Sequence, residues 1–141
     1  MRALPAQPPR RRSSVSAPFW EAARDNRLRL QRCDQCAYVR WPPSPLCPEC
    51  LADGGTWTEV SRRGAIWSYC VYDHCYDEAF RDAVPYVVAL VELEDGPRLI
   101  TNILAPPESV EVGLTVEAVF VATDGDAALV RFRPCPGDTP R

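Results

Sequence analysis

The sequence predicts a mainly β protein: a short N-terminal helix, a cysteine-rich ribbon and then a five-stranded barrel. Two observations carry this prediction. Between residues 64 and 134, five segments alternate apolar and polar residues and are separated by turn-forming residues. Upstream, two Cys-x-x-Cys pairs stand ten residues apart in "CDQCAYVRWPPSPLCPEC", residues 33–50. A chain of 141 residues that is 46% hydrophobic can bury a real core, as one domain or as a domain with a small satellite.

Residues 1–17 are rich in proline and serine, contain Arg2, Arg10, Arg11 and Arg12, and lack acids. They read as a solvated tail. "RRRSS" resembles part of a twin-arginine or transit signal, but no apolar stretch follows it, so targeting is not expected. The helix starts at Pro18, a residue suited to a first turn, and is expected to end near Arg27. Phe19, Ala22, Ala23 and Leu28 can share its buried face. Residues 18–60 form the helix and ribbon, in which "LRLQR" and "TWTEV" read as short strands. Pro42, Pro43, Pro45 and Pro48 exclude helix between the cysteine pairs.

Residues 61–134 form the barrel, and 135–141 a second tail. Its strands are "AIWSYCVYD", with Ala65, Trp67, Tyr69 and Val71 on one side, then "PYVVALVELE", "PRLITNIL", "LTVEAVFVA" and "ALVRFRP". In the second, Val87, Ala89, Val91 and Leu93 share a face. "EDGP" predicts a tight hairpin between the second and third strands. The longest excursion is placed between the third and fourth, which suits an OB-fold; an SH3-like barrel or an open sheet has the same pattern.

The net charge is −3, but residues 18–141 carry 12 arginines against 19 acids, a net of −7. An acidic body weighs against nucleic-acid binding, which draws most of its affinity from positive charge. The longest apolar runs, such as "VPYVVALV", are far below the ~20 residues of a membrane span. A cytoplasmic, reducing location is expected, where seven cysteines suggest metal ligation over disulfides.

Cys33, Cys36, Cys47 and Cys50 have the spacing of a tetrathiolate knuckle site, with one structural zinc per chain. A free-thiol cluster, an iron site and a redox pair are the alternatives. A closed four-sulfur shell leaves no position for water or substrate, so such a site holds a fold and does not catalyse. Ala37 and Leu51 occupy the positions after each second cysteine, where glycine best tolerates positive φ. His74 and Cys75 are adjacent, yet neighbours on an extended strand point to opposite faces, so a catalytic dyad is not expected. Cys70 reads as a small apolar strand residue and Cys135 has no assigned role. Trp41, Trp57, Trp67, Tyr69, Tyr72 and Tyr86 read as core and hairpin packing ahead of a base-stacking platform. No catalytic residue is assigned.

The ordered set "FWEAARDNRLRLQRCDQC", "WPPSPLCPEC", "RGAIWSYCVYDH", "PYVVALVELEDGPRLITNIL" and "RFRP" covers about residues 18–134. It resembles the proteins that join a rubredoxin-like zinc ribbon to an OB-fold, long classed as a domain of unknown function. Some members of that family lack the cysteines, whereas this chain keeps all four. The resemblance implies a non-catalytic accessory subunit of an acyl-CoA-processing complex in lipid metabolism, such as steroid degradation. Its partner would be a thiolase-like enzyme, a lipid-transfer-type aldolase or a MaoC-like hydratase, and the subunit's role extends to helping hold the coenzyme A moiety. No residue is assigned to coenzyme A. Phe19 and Trp20 are expected to lead a partner-docking segment over residues 18–30, with the ribbon's own flank as the other surface they could cover. A single-stranded nucleic-acid-binding module is the alternative function, since ribbons and OB-folds both serve there.

Overall fold

In the computed structural model, residues 4–5, 13–123 and 127–137 are described. Most of the expected N-terminal tail, part of the "TDGD" turn and most of the C-terminal tail lie outside them. Helix α1 spans Ala17–Arg24, with Pro18 in its first turn, and buries Phe19, Ala22 and Ala23. It stops short of Arg27. Asn26 takes a left-handed φ of 58°, and the amides of Asn26 and Arg27 turn back to the carbonyls of Ala23 and Ala22. Leu28 is still buried, but as the entry to strand β1.

Strands β1 (Arg29–Arg32), β2 (Val39–Arg40) and β3 (Thr56–Glu59) form an antiparallel sheet in the order β2-β1-β3. The barrel follows, with β4 (Arg63–Tyr72), β5 (Tyr86–Leu93), β6 (Arg98–Ile103), β7 (Thr115–Ala122) and β8 (Ala128–Pro134). It closes in the order β4-β5-β6-β8-β7, with β7 returning to β4. All neighbours are antiparallel except β6 and β8, which are parallel. This Greek-key closure is the OB-fold. The β5–β6 hairpin turns through "EDGP" as expected. The longest connection is not between β6 and β7 but between β4 and β5, residues 73–85. It holds a single 3-10 turn, Glu78–Phe80, and no strand, so its length shows only once β4 is seen to end at Tyr72 and β5 to begin at Tyr86.

Val87, Ala89, Val91 and Leu93 line the interior, where they meet Ile66, Leu99, Ile103, Val116 and Phe132. Strand β4 departs from simple alternation. Its register shifts between Ile66 and Ser68, so Trp67 is the extra residue of a bulge. An extra residue moves the period-2 pattern by one. Ile66 stands opposite buried Val91 and enters the core, whereas Ala65 stands opposite exposed Glu92 and Tyr69 and Val71 opposite buried Ala89 and Val87, so the four residues expected on one side of the strand do not share it. Gly64 sits between two partners, Leu93 on β5 and Val116 on β7. A Cβ there would strike the Glu92 carbonyl oxygen and approach Val91 Cγ1 to 2.9 Å, so only glycine lets β4 pass this close.

Ribbon and barrel share one core. Phe19, Leu28, Leu30 and Val60 belong to one buried cluster with the barrel residues, and the Phe19 ring lies 4.2 Å from that of Trp41. Helix α1 packs on β1, β7 and β8, which places it at the junction of the two units.

Candidate functional site

The ribbon presents its cysteines on two turns of the same design. In the first, the Ala37 amide donates to the Cys33 carbonyl at 3.0 Å and the Cys33 amide donates to the Tyr38 carbonyl at 2.9 Å. In the second, Leu51 donates to Cys47 and Cys47 to Ala52, both at 2.9 Å. Ala37 (φ 63°) and Leu51 (φ 61°) adopt the left-handed conformation that glycine would take without strain. The four Sγ atoms lie within 4.8 Å of one another, with Cys33–Cys50 at 3.5 Å and Cys36–Cys47 at 3.6 Å. Disulfide sulfurs would be about 2.0 Å apart. A tetrahedral ion with metal–sulfur bonds of about 2.3 Å requires sulfur–sulfur edges near 3.8 Å, and the cluster fits that.

The electrostatics point the same way. Amides of Cys36 and Gln35 pull the Cys33 thiol down to about 6, aided by hydrogen bonds from Cys50 and Cys36. Desolvation pushes Cys47 up, but the amides of Cys50 and Glu49 and the Cys36 thiol leave it lowered. The Tyr38 amide favours a Cys36 thiolate, yet desolvation and the other three thiols raise it to about 12. Cys50 is likewise raised, its Ala52 amide outweighed by desolvation and by the Cys33 and Cys47 thiols. Four thiolates this close repel one another, and a bound divalent cation is what allows all of them to be charged.

Buried Arg40 braces the second turn. Its Nε donates to Gln31 Oε1 at 2.9 Å, and its Nη2 donates to the carbonyls of Ser44 and Gly54, which flank the Cys47–Cys50 loop. Gln31 Oε1 also accepts from the Ser44 amide at 3.0 Å. Nothing in the sequence marks this pair, because a polar residue on a short strand gives no sign of burial.

The structure does not bring His74 and Cys75 together. The Cys75 thiol donates to the Asp77 carbonyl at 3.0 Å, while the His74 ring packs edge-on against Tyr76 at 4.7 Å. Cys70 is exposed and so is not a packed strand residue, whereas Cys135 is buried. Trp41 and Trp57 pack against the core as expected. Trp67 does not: it is 49% exposed, with the Arg98 guanidinium 3.9 Å from its ring centre. Phe19 is 4% exposed and spent within the chain, whereas Trp20 is only partly buried.

An exposed apolar face runs outward from Trp67. Leu90 on β5 pairs with Ile100 on β6, which is 74% exposed. Ile100 then borders a pocket lined also by Trp20, Trp41, Leu129 and Val130. The face thus spans the outside of the β4–β5–β6 sheet and ends at α1. Among the described residues, no helix is long and apolar enough to cross a membrane.

Fold and cysteine cluster together define a protein that couples a zinc-ribbon domain to an OB-fold barrel. Residues 20–54 match the family model for the ChsH2 rubredoxin-like zinc ribbon domain, and residues 57–121 match that for the ChsH2 C-terminal OB-fold domain. The chain belongs to this ChsH2-type DUF35 family. A DUF35 domain-containing scaffold protein of Methanothermobacter thermautotrophicus is 40% identical over 72% of this chain and 78% of its own length. A protein of Thermomonospora curvata, named as a probable enoyl-CoA hydratase alpha subunit, is 42% identical over 82% of this chain. The match spans only 36% of that longer relative. A chain in a solved structure described as the Ltp2-ChsH2(DUF35) aldolase is 39% identical, with a TM-score of 0.78 over 86% of this chain and 95% of that one.

Proposed function

We propose that this chain is an accessory subunit of an acyl-CoA-processing enzyme. In this reading a zinc ion held by Cys33, Cys36, Cys47 and Cys50 is structural and supplies a rigid tetrahedral crosslink to a ribbon with little core of its own. The observation that carries the reading is the exposed face of Trp67, Leu90 and Ile100 that ends at Trp20, on a chain similar to one solved as part of an aldolase. The contiguous run of Trp67, Leu90 and Ile100 on the outer face of the sheet, and not any one of these residues alone, is the kind of apolar patch that a partner covers. The relatives named for hydratase and aldolase chemistry support a partner of that type; a thiolase-like partner rests on the family resemblance alone. Chemistry would belong to the partner, with this chain stabilising it and contributing to the binding of the coenzyme A moiety.

Co-expression with a hydratase- or aldolase-type acyl-CoA enzyme from the same genome tests this. The two should elute together. Ile100→Asp and Trp20→Ala should each weaken the complex by about 2 kcal/mol, roughly 30-fold, as for the anchor residues of protein interfaces. Both should leave the isolated chain folded. Turnover of acyl-CoA thioesters by the chain alone, or an undiminished complex with Ile100→Asp, would overturn the proposal.

A further inference from the structure

The barrel closes through a thinly bonded seam. Strands β6 and β8 are paired at one position, Ile103 with Phe132, reinforced by the Leu104 amide donating to the Phe132 carbonyl at 2.7 Å. Beyond that point the strands part, and only Thr101 Oγ1 reaches across, donating to the Val130 carbonyl at 3.0 Å. The resulting cleft of roughly 250 Å³ is lined by Ile100, Asn102, Leu129 and Arg131, and by Pro5 from the far end of the chain.

Arg131 is the unusual residue here. It is 5% exposed, and burial lowers its pKa. Two residues further along the same strand, Arg133 pairs with Glu117 at 2.8 Å. Arg131 has no carboxylate partner among the described residues. Its guanidinium instead donates to two consecutive main-chain carbonyls, Leu4 at 3.2 Å through Nη1 and Pro5 through Nη2. A buried cation needs acceptors, and here the N-terminal segment supplies them. Recognition through carbonyls alone does not depend on side-chain identity, so another chain can take over the same acceptor role.

We infer that Leu4–Pro5 is a strap held across the β6–β8 seam by Arg131, and that the acyl-CoA enzyme displaces it on assembly. This rests on the accessory-subunit reading. The link between strap and docking face is geometric. Ile100, Thr101, Leu129 and Val130 line both the strap's cleft and the pocket beneath Trp20. A partner side chain seated against Trp20 and Ile100 therefore shares a wall with Pro5. The strap covers Arg131 while Ile100 stays exposed beside it, so a partner that docks on Ile100 meets the strap at the shared wall, and the strap's departure leaves Arg131 ready for acceptors from the partner.

Two changes in the full chain test this from opposite sides: the double variant Leu4→Gly/Pro5→Gly, which keeps both carbonyls but loosens the backbone that presents them and leaves the barrel sequence intact, and Arg131→Gln, which removes the charged donor. The first readout needs no partner. Nuclear Overhauser contacts between the Pro5 ring and the Arg131 side chain should be present in the natural sequence and lost in Arg131→Gln; their absence from the natural sequence overturns the strap. The second readout is the dissociation constant for the co-purifying acyl-CoA enzyme. Removing a competing contact should tighten binding of the Leu4→Gly/Pro5→Gly chain by about threefold or more. Unchanged or weaker binding by that variant overturns the displacement. If the natural chain forms no complex at all, the accessory-subunit reading falls and takes this inference with it. A Pro5–Arg131 contact that persists would then mark the failure as one of partnership and not of the strap.

Discussion

Replacing Phe19 by alanine separates a core residue from a docking residue. The ring is almost wholly buried, lies 4.2 Å from Trp41 and 4.9 Å edge-on from Trp20, and belongs to one buried cluster with the ribbon's Leu28 and Leu30 and the barrel residues. Truncating a buried phenylalanine costs about 3–5 kcal/mol, because transfer energy is lost and the surrounding structure closes only partly. Single domains are stable by about 5–15 kcal/mol, so Phe19→Ala removes a large fraction of the total. At this chain length the midpoint should fall by roughly 10 °C or more. Urea unfolding followed by tryptophan fluorescence is a direct assay, since Trp20 and Trp41 flank the site. Trp20→Ala is the control: its side chain is only partly buried, and its loss should cost about 1–2 kcal/mol. A loss below about 1 kcal/mol for Phe19→Ala would show that the ring is not part of the core, and would return it to the partner-docking role the sequence suggested.

Protein purified without added metal should contain about one equivalent of zinc, measured by elemental analysis. A red protein, or less than a tenth of an equivalent, would refute the zinc assignment. Cys47→Ser should lose the metal and expose the ribbon to protease while the barrel keeps its far-ultraviolet signal, because the barrel has its own apolar interior. Leu51→Gly should stabilise the ribbon by about 0.5–1 kcal/mol, since Leu51 holds a φ of 61° with its side chain 73% exposed. Chelator-driven unfolding would report it, and a destabilised variant would mean that the leucine side chain makes a needed contact.

The sequence by itself determined whatever is written in local spacing. Two residues between cysteines, repeated once in a proline-rich stretch, suffice to specify a four-sulfur cluster, and the cluster forms where the spacing placed it. Period-2 alternation marked all five barrel strands, because residues on one face of a strand must all be buried or all be solvated. Tertiary structure alone decided what depends on contacts between distant segments. Trp67 was read as part of a face with Tyr69, but a bulge is set by the partner strand's register and leaves no mark in the strand's own sequence. Local sequence leaves open whether Phe19 covers a partner or the ribbon's own flank; the core that takes it up includes barrel strands folded from residues far along the chain. Gln31 with Arg40, and Arg131 with the Leu4 and Pro5 carbonyls, look like ordinary polar surface residues until folding closes over them. A polar side chain is buried only where its partners meet it, and those partners are assembled by the whole fold.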